Sequence, residues 1–344
     1  MDSLAMFELT AENAVYYLRE QGWISREPAQ AEVLSGGVSN QVLRITTSEC
    51  CFVLKQSRPQ LRTRDDWFSD LDRIYREQEV MQSLHPHLPN VVPEVHYVDR
   101  PNYVYAMSHA PLEATVWKSD LLAGMIDLEL GARVGQTLGR IHEVSARNAP
   151  QFQAFSDHNA YVQLRVDPFY RRVQERRPEV AHVVEPIIHD MLTIKEALCH
   201  GDYTPKNILV HPALPSPSAR GAGGEGFTLV DYETAHFGDP TMDLGLFLAH
   251  LTLKAVRAPE RCEDFLTLMR SFWTAYCQTV TFRPHHELER RGVRHLGACL
   301  LARVDGTSPV DYLPESKRDI VRRLGRTILL DGKESWEQVW KSLE

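Results

Sequence analysis

Apolar and polar positions alternate through the first third of the chain, and helical spacing takes over after it. Residues 10–21 carry an amphipathic helical stripe, with Thr10 placed to cap its N-terminus. The stretch AEVLSGGVSNQVLRITTSECCFVLKQS (31–57) reads as a strand, a turn on Gly36 and Gly37, and two further strands. The third of these carries Phe52, Val53 and Leu54 and ends at Lys55. LDRIYREQEVMQSLH (71–85) places apolar residues at 71, 74, 80, 81 and 84, a helical stripe with charges between. NYVYAMSHAP (102–111) is a strand that ends near Ser108, and Pro111 marks the break.

Beyond that break the pattern is mainly helical. DLELGARVGQTLGRIHEVSA (127–146) predicts a long helix whose small residues, Gly131, Gly135 and Gly139, permit close packing. Further helices are expected at 161–177 and 180–197. CHGDYTPKNILVH (199–211) then sets a polar turn before a short apolar strand. The segment 212–226, rich in Pro, Ser and Gly, reads as a mobile surface loop. FTLVDYETAHFGDPTMDLGLFLAHLTLKA (227–255) gives a strand, a polar turn and a helix, and helices continue to the end. A β-rich 1–107 and a helical 112–344, joined at 108–111, predict an α+β chain of two lobes with a cleft at the junction.

Composition changes this picture little. Hydrophobic residues make up 43% and charged residues 24%, ordinary for a globular protein. A formal net charge of −8 argues against a nucleic-acid partner and would suit a cationic substrate. The six cysteines form no CxxC pair, which predicts reduced thiols in a cytoplasmic protein. No secretory signal pattern opens the chain, and no apolar run reaches the ~20 residues needed to span a bilayer. A monomer and a homodimer both remain open.

The chemistry concentrates at the two short strands. Asp202 and Asn207 stand in D-x-x-x-x-N spacing, and Asp231 ends the next apolar run. An Asp or an Asn in a turn is usually a cap. Three such groups delivered from the same ends of two strands make a different pattern, an oxygen set for a hard cation such as Mg2+ with phosphate completing its shell. Asp202, slightly apart, is then free to accept a proton from an attacking hydroxyl, a division that suits phosphoryl transfer.

HGDYTPKNILV followed by LVDYETAHFGDPTMDLG resembles the aminoglycoside phosphotransferase-like superfamily of small-molecule kinases, which includes the choline kinases. The resemblance spans roughly residues 30–315. It implies a bilobal protein-kinase-like fold, with an antiparallel N-lobe sheet and a helical C-lobe holding the acceptor pocket. It also implies ATP- and Mg2+-dependent transfer to a small-molecule hydroxyl acceptor, with GTP as a further possible donor. By matched position Asp202 is the base, and Asn207 and Asp231 are the Mg2+ ligands. Lys55 would meet the nucleotide phosphates, held by Glu77 or by its rival Glu79. The turn at Gly36, Gly37, Ser39 and Asn40 would cover the nucleotide. Met107, Ser108 and Ala110 would line the adenine site, and Lys206 would reach the transferring phosphate. Asp239 and Asp243 are expected to buttress the catalytic turn.

The acceptor is less legible. DYTPKN departs from the choline-, fructosamine- and methylthioribose-kinase loop forms. An amino sugar would need converging carboxylates, for which Glu233, Asp239, Asp305, Asp311 and Glu315 are available, with Asp305 or Asp311 on the far wall of the cleft. A catalytically silent nucleotide-binding regulator of this fold is the alternative, but Lys55, Asp202, Asn207 and Asp231 are all intact. A protein kinase would carry an activation segment ending A-P-E, where this chain enters a helix at once. The pairs His85/His87 and His285/His286 lack a metal-site framework, and RVQERRP (172–178) reads as a solvated basic face.

Overall fold

The computed structural model describes residues 7–34, 40–58, 69–212 and 226–343. The turn expected at Gly36, Gly37 and Ser39, and the loop expected around 212–226 apart from its two end residues, lie outside them.

The chain begins with helix α1 (Ala11–Glu20), where the Thr10 hydroxyl accepts from the Asn13 N–H and the Asn13 side chain accepts from Thr10 N–H. Strands β1 (Ala29–Val33), β2 (Asn40–Thr47) and β3 (Cys51–Ser57) follow, then helix α2 (Arg73–Leu84), β4 (Val95–Asp99) and β5 (Val104–Ser108). The sheet is antiparallel in the order β1-β2-β3-β5-β4. Period-two alternation divides its faces. Leu43, Ile45, Phe52, Leu54, Val104 and Ala106 pack with α1, while Val42, Val53, Lys55 and Met107 face the cleft.

Strand β3 runs two residues past Lys55, further than the sequence predicts. Gln56 makes this possible, because its buried amide accepts from Leu9 N–H at 2.8 Å and donates to the carbonyls of Phe7 and Asn102. Strand β4 was not anticipated; its side chains are only partly buried, so its sequence lacks a clear alternation.

The C-lobe opens with β6 (Thr115–Val116), helix α3 (Trp117–Leu122) and helix α4 (Leu128–Arg147). The stretch expected as one helix at 161–177 is instead a π-helix, Val162–Arg171, running into a short α-helix, Arg172–Arg176. Strands β7 (Ala197–Cys199), β8 (Ile208–Val210), β9 (Phe227–Leu229) and β10 (His236–Gly238) form two small antiparallel sheets, β10-β7 and β6-β8-β9. The helix Thr241–Arg257 is buried at every position but its last and forms the centre of the lobe, with Asp243, His250 and Lys254 buried among its apolar side chains.

Helix α4 lies against the helix Cys262–Thr279 along its glycine face. A Cβ at Gly135 would sit 2.1 Å from the Phe272 carbonyl oxygen, and one at Gly139 would meet Thr279. Replacing Gly135 by Val is therefore expected to force the helices apart at a loss of about 1–3 kcal/mol or more. Urea unfolding checks this, and an unchanged midpoint would mean that these backbones are not in contact.

Candidate active site

Lys55 sits inside β3, paired in register between Val42 of β2 and Tyr105 of β5. Its ammonium lies 2.7 Å from Glu77 Oε2 and 2.9 Å from Asp231 Oδ1. Glu77, on α2, is fully buried, and its Oε1 also accepts from the Tyr232 N–H at 3.1 Å. One carboxylate thus joins the N-lobe lysine to the C-lobe backbone that carries Asp231. The rival Glu79 pairs with Arg100 at the surface. Burial pulls the Lys55 ammonium down, but Asp231 and Glu77 outweigh it and hold the lysine protonated. The acids divide. Burial lifts Glu77 to about 7 against the pull of Lys55, whereas Lys55 and then Lys206 hold Asp231 well below the usual carboxylate range despite its burial.

The loop that carries Asp202 is organised from behind by Asp243, at the start of the helix Thr241–Arg257. Its carboxylate accepts from the backbone N–H groups of His200 at 2.7 Å and Gly201 at 2.8 Å, with His142 Nε2 at 3.4 Å. Gly201 has φ +76°, and a Cβ there would lie 2.5 Å from the Thr234 carbonyl, so the position requires glycine. Asp239 does not touch the turn. It accepts from the N–H and hydroxyl of Thr241 and lies 3.5 Å from Arg291, which secures the helix entrance instead.

Asp202 follows. Its Oδ2 lies 2.9 Å from Arg165, 2.8 Å from Lys206 and 2.8 Å from the Asn207 amide nitrogen. Burial raises its proton affinity, but Arg165 and then Lys206 outweigh that and hold it below the ordinary carboxylate range. Asn207 also donates to the Asp202 carbonyl, so its amide oxygen is the atom left to serve a cation. Val230 N–H donates to the Asn207 carbonyl at 3.0 Å, which brings Asn207 beside Asp231. An amide oxygen and an ionised carboxylate are hard donors of the kind Mg2+ takes when phosphates complete its shell. Asp231 itself has φ +73°, a conformation that non-glycine residues rarely adopt outside functional sites.

These groups line one cleft of about 670 Å3, together with Asn40, Met107, Ser108, Ala110 and Glu233. Ser108 N–H donates to the Glu94 carbonyl, so that backbone donor is not available to an adenine edge, and the Ser108 hydroxyl oxygen accepts from Glu94 N–H.

The carboxylates expected to converge on an acceptor do not. Glu233 lines the cleft but is held by Asn40 at 2.9 Å and by the buried Arg73 at 3.1 Å. Asp305 does not line the cleft; Arg177 and Arg322 clamp it at 2.7 and 3.0 Å. Asp311 is exposed and pairs with Lys118, and Glu315 pairs with Arg318. In RVQERRP, Arg176 stays exposed and bonds the Asp305 carbonyl, while Arg177 bonds the Asp305 carboxylate. His85 bonds the Val92 carbonyl and His285 the Val280 carbonyl, and the described residues hold no metal-binding group of three or more His, Cys, Asp or Glu.

Sequence reasoning missed Arg73 and Arg165. Arg73 had a signal, standing one turn before Glu77 on the same helix face. Arg165 had none, because its position depends on the π-helical segment.

Residues 30–261 match the sequence profile of the phosphotransferase enzyme family, APH. The chain belongs to that family. It is a small-molecule kinase. Methylthioribose kinase from Exiguobacterium sibiricum is 24% identical to this kinase over 302 residues, 78% of this chain and 73% of the relative. Two solved structures show the same fold with a TM-score of 0.57. One is a putative aminoglycoside phosphotransferase from Ralstonia eutropha JMP134, 16% identical and covering 98% of both chains. The other is the amicoumacin kinase hAmiN in complex with AMP-PNP, Ca2+ and Ami, 13% identical and covering 94% of this chain and 95% of its own. No helix among the described residues of the kinase is long and apolar enough to cross a membrane.

Glu77 supplies a pH test. Folding raises its proton affinity, so this group's contribution to stability is fully present below about pH 4.5 and is lost as pH rises through about 7. Glu77→Gln, neutral throughout, is expected to flatten that part of the stability–pH curve, read from urea midpoints at pH 5, 6, 7 and 8. Equal slopes in the two proteins would mean that Glu77 is ionised across the range.

Proposed function

We propose that this kinase transfers the γ-phosphate of ATP to a hydroxyl group of a small molecule, with Mg2+ as cofactor and Asp202 as the base. The observation that carries this reading is the meeting of Lys55, Asp202, Asn207 and Asp231 in one cleft between the lobes. Lys55, kept protonated by its two carboxylates, neutralises nucleotide phosphate oxygens. Asn207 and Asp231 are the residues that would hold Mg2+, which supplies charge neutralisation on the phosphates when bound. The nucleotide-bound amicoumacin kinase of the same fold supports a nucleotide donor.

The setting of Asp202 defines what it does. A carboxylate kept this acidic by Arg165 and Lys206 is a weak base towards a free hydroxyl. It stays ionised at neutral pH, accepts a hydrogen bond from the acceptor hydroxyl and aims its oxygen, then takes the proton as the new P–O bond forms. Loose phosphoryl transfer needs this positioning more than early deprotonation. Lys206, half-exposed and 2.8 Å from Asp202, is placed to follow the transferring phosphate.

Asp202→Ala is expected to lower kcat by ~10²-fold or more while nucleotide binding is retained. ADP release with Mg2+ and a panel of sugars, amino sugars and amino alcohols measures the first, and calorimetry with AMP-PNP the second. Equal turnover by the two proteins would remove Asp202 from the role.

A further inference from the structure

The part of the cleft formed by the C-lobe has a charge opposite to that of the whole chain. Arg303, Lys118, Arg165 and Lys206 line it against the carboxylates of Asp202, Asp231 and Glu233, of which Asp231 is taken by Lys55 and Glu233 by Asn40 and Arg73. Arg165 and Lys206 belong to Asp202. Arg303 has no carboxylate partner among the described residues. It stacks over Phe169, bonds the Ser308 carbonyl, and leaves its Nε buried without a partner. Directly behind stands Lys254, 1% exposed, whose ammonium donates to the His250 carbonyl at 3.1 Å and lies over the Tyr312 ring. Lys118 faces the same ring, and its one acid, Asp311, is exposed to solvent.

Arg303, Lys118 and Lys254 have only the exposed Asp311 as an ion-pair partner among the described residues, so they repel one another. Burial, then Lys118 and Arg303, bring the Lys254 ammonium down to about 7. His250, which lines the cleft one helical turn before Lys254, is held neutral by its burial and the same cations. A group that relieves this repulsion must be negative, and the cleft admits one beside Phe169 and Leu164.

We propose that the acceptor bears a fixed anionic group, a carboxylate or a phosphate, which binds Arg303 and Lys118 with Lys254 behind them while its hydroxyl faces Asp202. This inference rests on the kinase reading and adds the acceptor class. It excludes amino sugars as preferred acceptors, because every carboxylate expected to hold their ammonium groups is paired elsewhere.

The test uses the whole protein saturated with AMP-PNP and Mg2+, with sulfate, malonate and ethanolamine as probes in calorimetry. Sulfate and malonate are expected to bind and ethanolamine not to. Arg303→Met and Lys118→Met are each expected to weaken anion binding at least tenfold while changing the AMP-PNP Kd less than twofold; having two variants guards against one misfolding. Sulfate stays dianionic from pH 6 to 8, so its affinity is expected to fall as pH rises through 7 and Lys254 loses its proton. The groups facing Lys254 are Lys118, Arg303, Tyr312 and His250, and Lys254→Met is expected to flatten the profile. Turnover then separates the sources, comparing sugar phosphates and hydroxy acids with methylthioribose and glucosamine. A tenfold higher kcat/KM for the anionic compounds is expected.

Ethanolamine binding in place of the anions, or a higher kcat/KM for neutral or amino compounds, would overturn the anionic acceptor and leave the kinase reading standing. An equal loss of AMP-PNP affinity in Arg303→Met would assign these cations to the nucleotide and overturn it too. No AMP-PNP binding by the wild-type protein would instead overturn the kinase reading itself.

Discussion

A buried lysine between two carboxylates sets the geometry of this protein. Lys55, Glu77 and Asp231 come from a strand, a helix and a strand end separated by up to 176 residues of chain. None is stable in that place alone, since removing one member of a buried ion pair typically costs 3–5 kcal/mol. Glu77 goes further and accepts the Tyr232 N–H, so the helix that positions the lysine also positions the backbone after Asp231. One turn earlier, Arg73 reaches Glu233 from the same helix face. Helix α2 therefore fastens to residues 231–233 at two points, and the width of the cleft follows from that helix.

A second anchor works from below. Asp243 gathers the backbone of His200 and Gly201 in one carboxylate, and the loop that carries Asp202 departs from that fixed point. Asp202 then meets three donors at once, which settles its direction and its acidity together. The two anchors share no residue. The placement of Lys55 and that of the loop around Asp202 can thus be built independently and still meet at Asp202 and Asp231.

Local pattern revealed much of this. Thr10, the alternation of β2 and β3, and the glycine face of α4 are all local signals, and the structure follows them. The spacing from Asp202 to Asn207 and the strand end at Asp231 brought three of the site's groups together from sequence alone. What stayed hidden depends on long-range pairing. Gln56 extends β3 only because it bonds three distant backbone groups, and β4 is recognisable only by the strand beside it. The acceptor side was misread for a related reason. Acidic residues were visible in the sequence, but each except Glu315, whose Arg318 stands one turn on, had a partner that no spacing rule connects to it, as Asp305 has Arg177 and Arg322. The net charge of the chain is no guide to the cleft, because it averages over a surface that the C-lobe side of the cleft does not resemble.

The π-helix Val162–Arg171 bears on how such a pocket diversifies. A widened turn is an α-helical turn holding one residue too many, and Arg165 and Phe169 both stand on it. Loss of a single residue would restore ordinary winding, leaving the flanking turns in place while re-aiming the side chains within the widened segment. The guanidinium now against Asp202 and the ring now under Arg303 would then part company, although no residue touching the nucleotide side had changed. A one-residue change in this segment would therefore reshape the C-lobe wall of the cleft while leaving Lys55, Glu77 and Asp231 where they are.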